Sequence, residues 1–174
     1  MPENIEIKAK LANLKAIEER LADLDIHRSA VIHQLDIFFN VPNGRLKLRR
    51  FSDQTGELIH YERPDLKGPK TSRYKIYRTE DPEGLQQTLE SAFGVVGEVN
   101  KVRDLYLTGQ TRIHLDRVAG LGDFLELEVV METSQPTEDG VAIAQMLMEK
   151  IGITHKDCLE EAYIDLILKK SPAG

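Results

Sequence analysis

The chain lacks most features that mark secreted or membrane-spanning proteins. Among its 174 residues there is no tryptophan and a single cysteine, Cys158, which cannot form an internal disulfide. It has no apolar run of about eighteen residues and no charged-then-apolar leader, so we expect neither a membrane span nor a signal peptide. We therefore expect a cytoplasmic protein in which Cys158 packs within a helix.

Basic residues are outnumbered by acidic residues in the chain as a whole. The sequence has 23 lysines and arginines against 29 aspartates and glutamates, which gives a net charge of -6. This balance argues against a general nucleic-acid partner or an anionic membrane. Internal repeats, low-complexity segments and long linkers are missing too, and the length suits one domain spanning residues 1–174.

What the chain does contain is a strand whose two faces differ in chemistry. After a turn marked by Gly120 and Gly122, apolar residues from 124 to 130 alternate with Glu126 and Glu128. A period of two places both carboxylates on one face of the strand. For this strand taken alone, exposure of that face to water is the simpler interpretation.

Other segments show the same alternation and bring positive charge with it. Their polar faces carry ionisable residues at every second position, namely Glu6, Lys8, Arg45, Lys47, Arg49, Lys101, Arg103, Arg112, His114 and Asp116. A sheet closed into a barrel would line its interior with these residues and pack its apolar face against outer helices. Because buried cations in excess need an anion, we expect a triphosphate there, beside carboxylates suited to Mg²⁺ or Mn²⁺.

Apolar spacing and turn signals predict an α+β protein with a mostly antiparallel sheet and helices outside it. Asp81 and Pro82 mark the start of one helix, and Gly94 marks its end. The predicted helices span about residues 12–24, 81–93, 138–151 and 156–168, and the predicted strands span about 4–11, 30–39, 45–51, 57–63, 71–78, 98–107, 111–118 and 124–131.

Five motifs, taken in their order and spacing, resemble a known family. They are Asn4-x-Glu6-x-Lys8, VPNGRLKLR at 41–49, YERPD at 61–65, TRIHLD at 111–116 and GLGDFLELE at 120–128. The set resembles the CYTH, or triphosphate tunnel metalloenzyme, family and looks most like its bacterial class IV adenylyl cyclase (CyaB-type) branch. The resemblance implies a closed eight-stranded β-barrel, and it also implies a homodimer.

The resemblance assigns roles to individual residues. It implies that Glu6, Glu126 and Glu128 bind the metals and that Glu6, Lys8, Arg112 and Asp116 act in catalysis. The residues that it implies for phosphate binding are Arg45, Lys47, Arg49, Arg63, Lys70, Lys101 and Arg103. The first motif departs from the family pattern E-x-E-x-K, because an amide, Asn4, stands where the first carboxylate is expected.

Three functions are consistent with such an interior. A class IV-type adenylyl cyclase would convert ATP to cyclic AMP and pyrophosphate, and the resemblance favours this reaction. A triphosphatase acting on an inorganic, nucleoside or thiamine triphosphate would use the same lumen to bring water to the terminal phosphorus. A module that binds polyphosphate or nucleotide without turnover is the third interpretation.

Overall fold

A computed structural model describes residues 2–170 and confirms the predicted closed barrel. The strands follow one another around the barrel in the order β1-β5-β4-β3-β2-β6-β7-β8, and all eight neighbouring pairs are antiparallel. The strands are β1 Glu3–Lys10, β2 Arg28–Phe39, β3 Arg45–Phe51, β4 Gly56–Glu62, β5 Lys70–Thr79, β6 Val95–Thr108, β7 Thr111–Val118 and β8 Gly122–Val130.

Four α-helices lie within the described residues. They are α1 Leu14–Asp23, α2 Pro82–Phe93, α3 Thr137–Ile151 and α4 Tyr163–Lys170. The side chain of Asn13 caps α1 by accepting from the amide of Ala16, and Asp81 caps α2 in the same way. None of the helices in residues 2–170 is long and apolar enough to cross a membrane.

The outer face of the barrel is the apolar face that the alternation predicts. Helices α1 and α3 cover β1, β7 and β8, where Ile7, Leu115 and Leu127 are fully buried. Helix α2 covers β2 and β3, where Ile37 and Leu48 are buried. On these five strands apolar side chains thus pack outward against helices, and most of the charged side chains face the lumen.

Helix α4 closes one end of the lumen. The Tyr163 ring packs against Phe124 with 4.9 Å between the ring centroids, and Phe38 and Ile164 belong to the same buried cluster. The opposite end of the lumen is open, since Ile76 on its wall is 46% exposed. A ligand would therefore enter from the end opposite α4.

The predicted helix over residues 156–168 is wrong in its first half. A short 3₁₀ helix at His155–Asp157 is followed by non-helical chain with a bend at residues 160–161, and α4 begins only at Tyr163. Cys158 pairs with Ala9 of β1 in an isolated bridge, and the amide of Leu159 donates to the carbonyl of Lys8. Pairing of β1 with β5 reaches only from residue 3 to residue 6, so this segment supplies the backbone partners that β1 lacks there.

Candidate active site

The polar faces of the strands surround a cavity of about 370 Å³ in the lumen. The strand register places Lys8 opposite Glu126 and Glu6 opposite Glu128, so charged side chains meet across neighbouring strands. The predicted site residues that line this cavity are Glu6, Lys8, Lys47, Arg49, Arg63, Lys101, Arg103, Arg112, Glu126 and Glu128. The volume lies in the range of about 300–1,000 Å³ that is typical of small-molecule sites.

Three of the lumen side chains form a group suited to a cation. One ligand atom from each of His114, Glu126 and Glu128 lies within 4.8 Å of the others. Burial lowers the pKa of His114, which favours the neutral imidazole that a metal requires, and its Nδ1 has no hydrogen-bond partner among the described residues. An imidazole and two carboxylates fit a divalent ion such as Mn²⁺, so the donor set matches the expected cofactor.

The carboxylate of Glu128 is held from one side by two donors. Asn4 Nδ2 and Arg112 Nη2 both donate to its Oε1, the latter at 2.5 Å. The other oxygen, Oε2, faces His114 Nε2 at 3.9 Å. Asn4, which stands where the resemblance implies a carboxylate, therefore orients Glu128 with a hydrogen bond.

The remaining carboxylates of this wall differ in their protonation. Burial and the neighbouring Glu126 and Glu128 raise the pKa of Glu6 to about 7. Burial would also raise the pKa of Glu126, but the nearby His114, 3.7 Å away, and the charges of Lys8 and Arg103 hold it well below the ordinary value. Glu126 is therefore ionised at neutral pH, whereas Glu6 exchanges a proton there.

The opposite wall carries a cluster of cations around one aspartate, Asp36, which sequence analysis did not select. Arg49 donates to both of its oxygens at 2.8 and 2.9 Å, and the ammonium groups of Lys47 and Lys101 each donate to Oδ2 at 3.0 Å. Burial opposes ionisation of Asp36, but Arg49 and Lys101 lower its pKa well below the usual range. One carboxylate thus holds three cations.

Two lumen lysines lose charge at unusually low pH. Burial lowers the pKa of Lys8 to about 8, even though its Nζ lies 3.7 Å from Glu126 Oε2. Burial also lowers the pKa of Lys101 to about 7, with Arg49 adding to the effect. Burial, which disfavours the charged form, is the main cause of both shifts, so a bound anion would favour the protonated lysines.

Asp116, expected to act in catalysis, lies behind the cavity wall. It accepts two hydrogen bonds from Arg103, each at 2.8 Å, and a third from the hydroxyl of Tyr163 at 2.7 Å. It is fully buried and does not line the cavity. From this position Asp116 orients Arg103, and a direct role in the reaction stays a prediction.

Arg45 and Lys70, expected to bind phosphate, lie at the closed end outside the cavity wall. Arg45 donates to Asp165 of α4 at 2.7 Å. The ammonium of Lys70 donates to the backbone carbonyls of Leu66 and Glu160 at 3.0 and 2.9 Å. Both side chains thus tie the barrel to the segment that closes it, and their predicted contact with phosphate stays a prediction.

Three comparisons place this fold and cavity among known proteins. The model of the CYTH domain family matches residues 2–163. A protein of Methanocaldococcus jannaschii named "Putative adenylate cyclase" is 24% identical over 169 residues, which cover 93% of this chain and 97% of that protein. A solved structure from Pyrococcus horikoshii has a TM-score of 0.85 at 25% identity and covers 94% of this chain and 98% of its own.

A more distant structure shares the fold alone. The Hippeastrum protein, described as a "Putative adenylyl cyclase" with a dominant triphosphatase activity, has a TM-score of 0.66 at 16% identity. The structural match covers 98% of this chain and 96% of the Hippeastrum chain. The family match over residues 2–163 and the closed eight-stranded barrel agree, and the chain belongs to the CYTH domain family.

Proposed function

We propose that the chain is a metal-dependent enzyme that binds a triphosphate in the lumen and converts ATP to cyclic AMP and pyrophosphate. The observation that carries the proposal is the juxtaposition of a cation-rich wall around Asp36 with the group formed by His114, Glu126 and Glu128. The cations match the charge of a triphosphate, and the opposite group matches a divalent ion. The M. jannaschii relative, through its name, supports the cyclase as the reaction.

The residues of the cation-rich wall would bind and orient the substrate. Lys47, Arg49 and Lys101 converge on one small volume and would hold the phosphate oxygens by charge-assisted hydrogen bonds. Arg103 is held rigid by Asp116 and so presents a fixed donor geometry to the α-phosphate. In-line attack then requires the nucleophile to approach from the opposite wall.

The opposite wall would bind the metal ion and accept the proton of the nucleophile. Mg²⁺ or Mn²⁺ held by His114, Glu126 and Glu128 would supply a Lewis acid that neutralises the leaving pyrophosphate. Glu6, with its pKa near 7, would accept the proton of the ribose 3′-hydroxyl. The bond from that oxygen to the α-phosphorus forms while the bond to the bridging oxygen of pyrophosphate breaks.

A triphosphatase is the second candidate, and Asn4 is the observation that favours it. With an amide at that position, the lumen has one carboxylate fewer than the family motif for binding a second metal. The Hippeastrum protein illustrates that this fold is compatible with dominant triphosphate hydrolysis. The two reactions differ in which phosphorus faces the nucleophile, a shift of a few ångströms along the lumen.

The test is identification of products after incubation with ATP, and separately with tripolyphosphate, in Mg²⁺ and in Mn²⁺. Cyclic AMP together with pyrophosphate is the expected result. Release of ADP or phosphate without cyclic nucleotide would replace the cyclase with the triphosphatase. Tight binding of either compound without any product would make the protein a binding module.

Single substitutions test the residues that the proposal uses. Glu126→Gln or Glu128→Gln should reduce metal-dependent turnover by a factor of about 100 or more, while tripolyphosphate still binds. Lys47→Ala should mainly weaken substrate binding. Glu19→Gln, on the exposed face of α1, is the matched control and should retain full activity. Unchanged turnover in all three lumen variants would refute the site.

A further inference from the structure

One side chain at the closed end of the lumen belongs neither to the cation-rich wall nor to the metal-binding group. Tyr163, the first residue of α4, lines the cavity and is only 5% exposed. Among the α4 residues Tyr163–Lys170 it alone reaches the cavity. The contacts of its hydroxyl and its ring therefore decide how the closing helix acts on the groups inside the lumen.

The hydroxyl of Tyr163 completes the set of donors around Asp116. It donates to Asp116 Oδ2 at 2.7 Å, the same oxygen that Arg103 Nη2 contacts at 2.8 Å. Burial and the charge of Asp116 raise the pKa of Tyr163 well above its ordinary value, so the hydroxyl keeps its proton and remains a donor. Because Tyr163 belongs to α4 and Asp116 to β7, this bond holds the carboxylate from a second element and restricts its rotation together with Arg103.

The ring of Tyr163 contacts a second cation, Lys8. The ammonium lies 4.0 Å from the ring centroid, which is within the distance of about 6 Å at which the face of an aromatic ring attracts a cation. Lys8 Nζ also lies 3.7 Å from Glu126 Oε2, so it is held between the ring and a carboxylate. Phenylalanine at position 163 would keep this contact and the packing of the ring, and would lose only the hydroxyl.

These contacts matter because Arg103 has a second carboxylate within reach. Its Nη2 lies 3.9 Å from Glu126 Oε2. A guanidinium that is not held at Asp116 would turn toward Glu126, and that contact would compete with contact to a phosphate. We propose that Tyr163 is a positioning residue, which holds the Arg103 guanidinium in one orientation toward the lumen through Asp116. The inference rests on the proposed function, in which Arg103 contacts the α-phosphate.

The first test compares Tyr163→Phe with the wild type in product formation from ATP. We expect the turnover rate at saturating ATP to fall about tenfold, since a positioned group acts mainly in the transition state. Affinity for tripolyphosphate, measured by calorimetry in EDTA, should stay within about twofold, because Asp36 still holds Lys47 and Lys101. Tyr77→Phe, at a tyrosine that is 67% exposed, is the matched control and should change neither quantity. Unchanged turnover in Tyr163→Phe would overturn the inference.

A double-mutant cycle separates positioning of Arg103 from general support of the barrel. Arg103→Lys removes the paired hydrogen bonds to Asp116 while it keeps the positive charge. If Tyr163 acts through Arg103, adding Tyr163→Phe to Arg103→Lys should lower turnover by less than about twofold further. A full tenfold loss in both backgrounds would mean that Tyr163 acts independently of Arg103, and it would refute the proposed role.

A third readout needs no turnover and so separates this inference from the proposed function. In protein labelled with ¹⁵N-arginine, the Nε–H signal of Arg103 is the one that disappears in Arg103→Lys, and its exchange with water reports how firmly the guanidinium is held. We expect this exchange to be about tenfold faster in Tyr163→Phe than in the wild type. If the protein converts neither ATP nor tripolyphosphate, the proposed function fails, yet faster exchange would still support the positioning of Arg103. Equal exchange in both proteins would contradict it.

Discussion

At the scale of single residues, the charge balance of the lumen depends on Asp36. Its carboxylate accepts hydrogen bonds from Lys47, Arg49 and Lys101, all of which are largely or fully buried. Removing that charge leaves three cations without their shared partner. Such loss of one partner from a buried ionic cluster typically costs about 3–5 kcal/mol.

We therefore predict that Asp36→Asn lowers the melting temperature by on the order of 10 °C. Tripolyphosphate should then raise the melting temperature of the variant more than that of the wild type, because the anion replaces the missing charge. Thermal denaturation with and without the ligand measures both effects. Asp23→Asn, exposed at the end of α1, is the control. An equal rise in melting temperature with tripolyphosphate in the wild type and in Asp36→Asn would contradict the prediction.

The lowered lysine pKa values predict how anion binding depends on pH. Lys8 and Lys101, with pKa values of about 8 and 7, are charged below those values and neutral above them. Affinity for tripolyphosphate in EDTA should therefore fall as the pH rises from 7 to 9, by about tenfold or more. Calorimetry across this range provides the measurement, and Lys101→Met should show a shallower fall. A flat profile would mean that the lysines remain charged in the lumen.

Residue-level prediction from the sequence succeeded where strand alternation was regular. Lys47 and Arg49, like Glu126 and Glu128, stand two apart on strands, so their shared face could be predicted. Asp36 was missed because the other inner residues of β2 are uncharged and the strand shows no charged alternation. Its importance comes from three partners on other strands, which no local pattern contains.

At the scale of elements, α4 and the chain before it determine which end of the lumen is closed. Asp165 of α4 accepts from Arg45 at 2.7 Å and from the amide of Ala162 at 3.0 Å. It thereby both caps the helix and attaches it to β3. Strand parity predicted correctly that Arg45 shares a face with Lys47, but it gave no information about which barrel end a later helix would cover.

Because the ion pair between Arg45 and Asp165 attaches α4 to β3, we expect substitutions at these two positions to affect stability more than phosphate binding. Asp165→Ala should destabilise the protein by about 1–2 kcal/mol, through loss of a cap and of a partly exposed ion pair. Arg45→Ala should leave the affinity for tripolyphosphate nearly unchanged, whereas Lys47→Ala should lower it by about tenfold or more. If Arg45→Ala weakened binding as much as Lys47→Ala, Arg45 would be a phosphate ligand after all.

The helix boundary near Cys158 shows why local spacing alone failed for one element. Apolar residues from 159 to 168 have helical spacing, yet the chain remains non-helical up to residue 162. The free backbone groups of β1 beyond its pairing with β5 accept this segment as a partner. Tertiary hydrogen bonding therefore outweighed a weak local propensity, which sequence periodicity does not report.

At the scale of the whole molecule, the barrel could be predicted because most strands carry one apolar face and one charged face. A closed barrel packs the apolar face against helices and turns the charged face toward its lumen. Apolar side chains on the outside match the helices α1, α2 and α3, and charged side chains on the inside match one another across the lumen. An open sheet would have exposed one of those faces along its full length. The excess of cations inside then relates the fold to a function, since it leaves the lumen complementary to a polyanion.

The central claim is that triphosphate and metal bind together inside this lumen. A crystal structure of the protein with Mn²⁺ and a non-hydrolysable ATP analogue, with anomalous data at the manganese edge, tests it most directly. The account predicts manganese between His114, Glu126 and Glu128, with the triphosphate against Lys47, Arg49 and Lys101. Manganese elsewhere, or an analogue bound on the outer surface with the lumen free of phosphate, would contradict it.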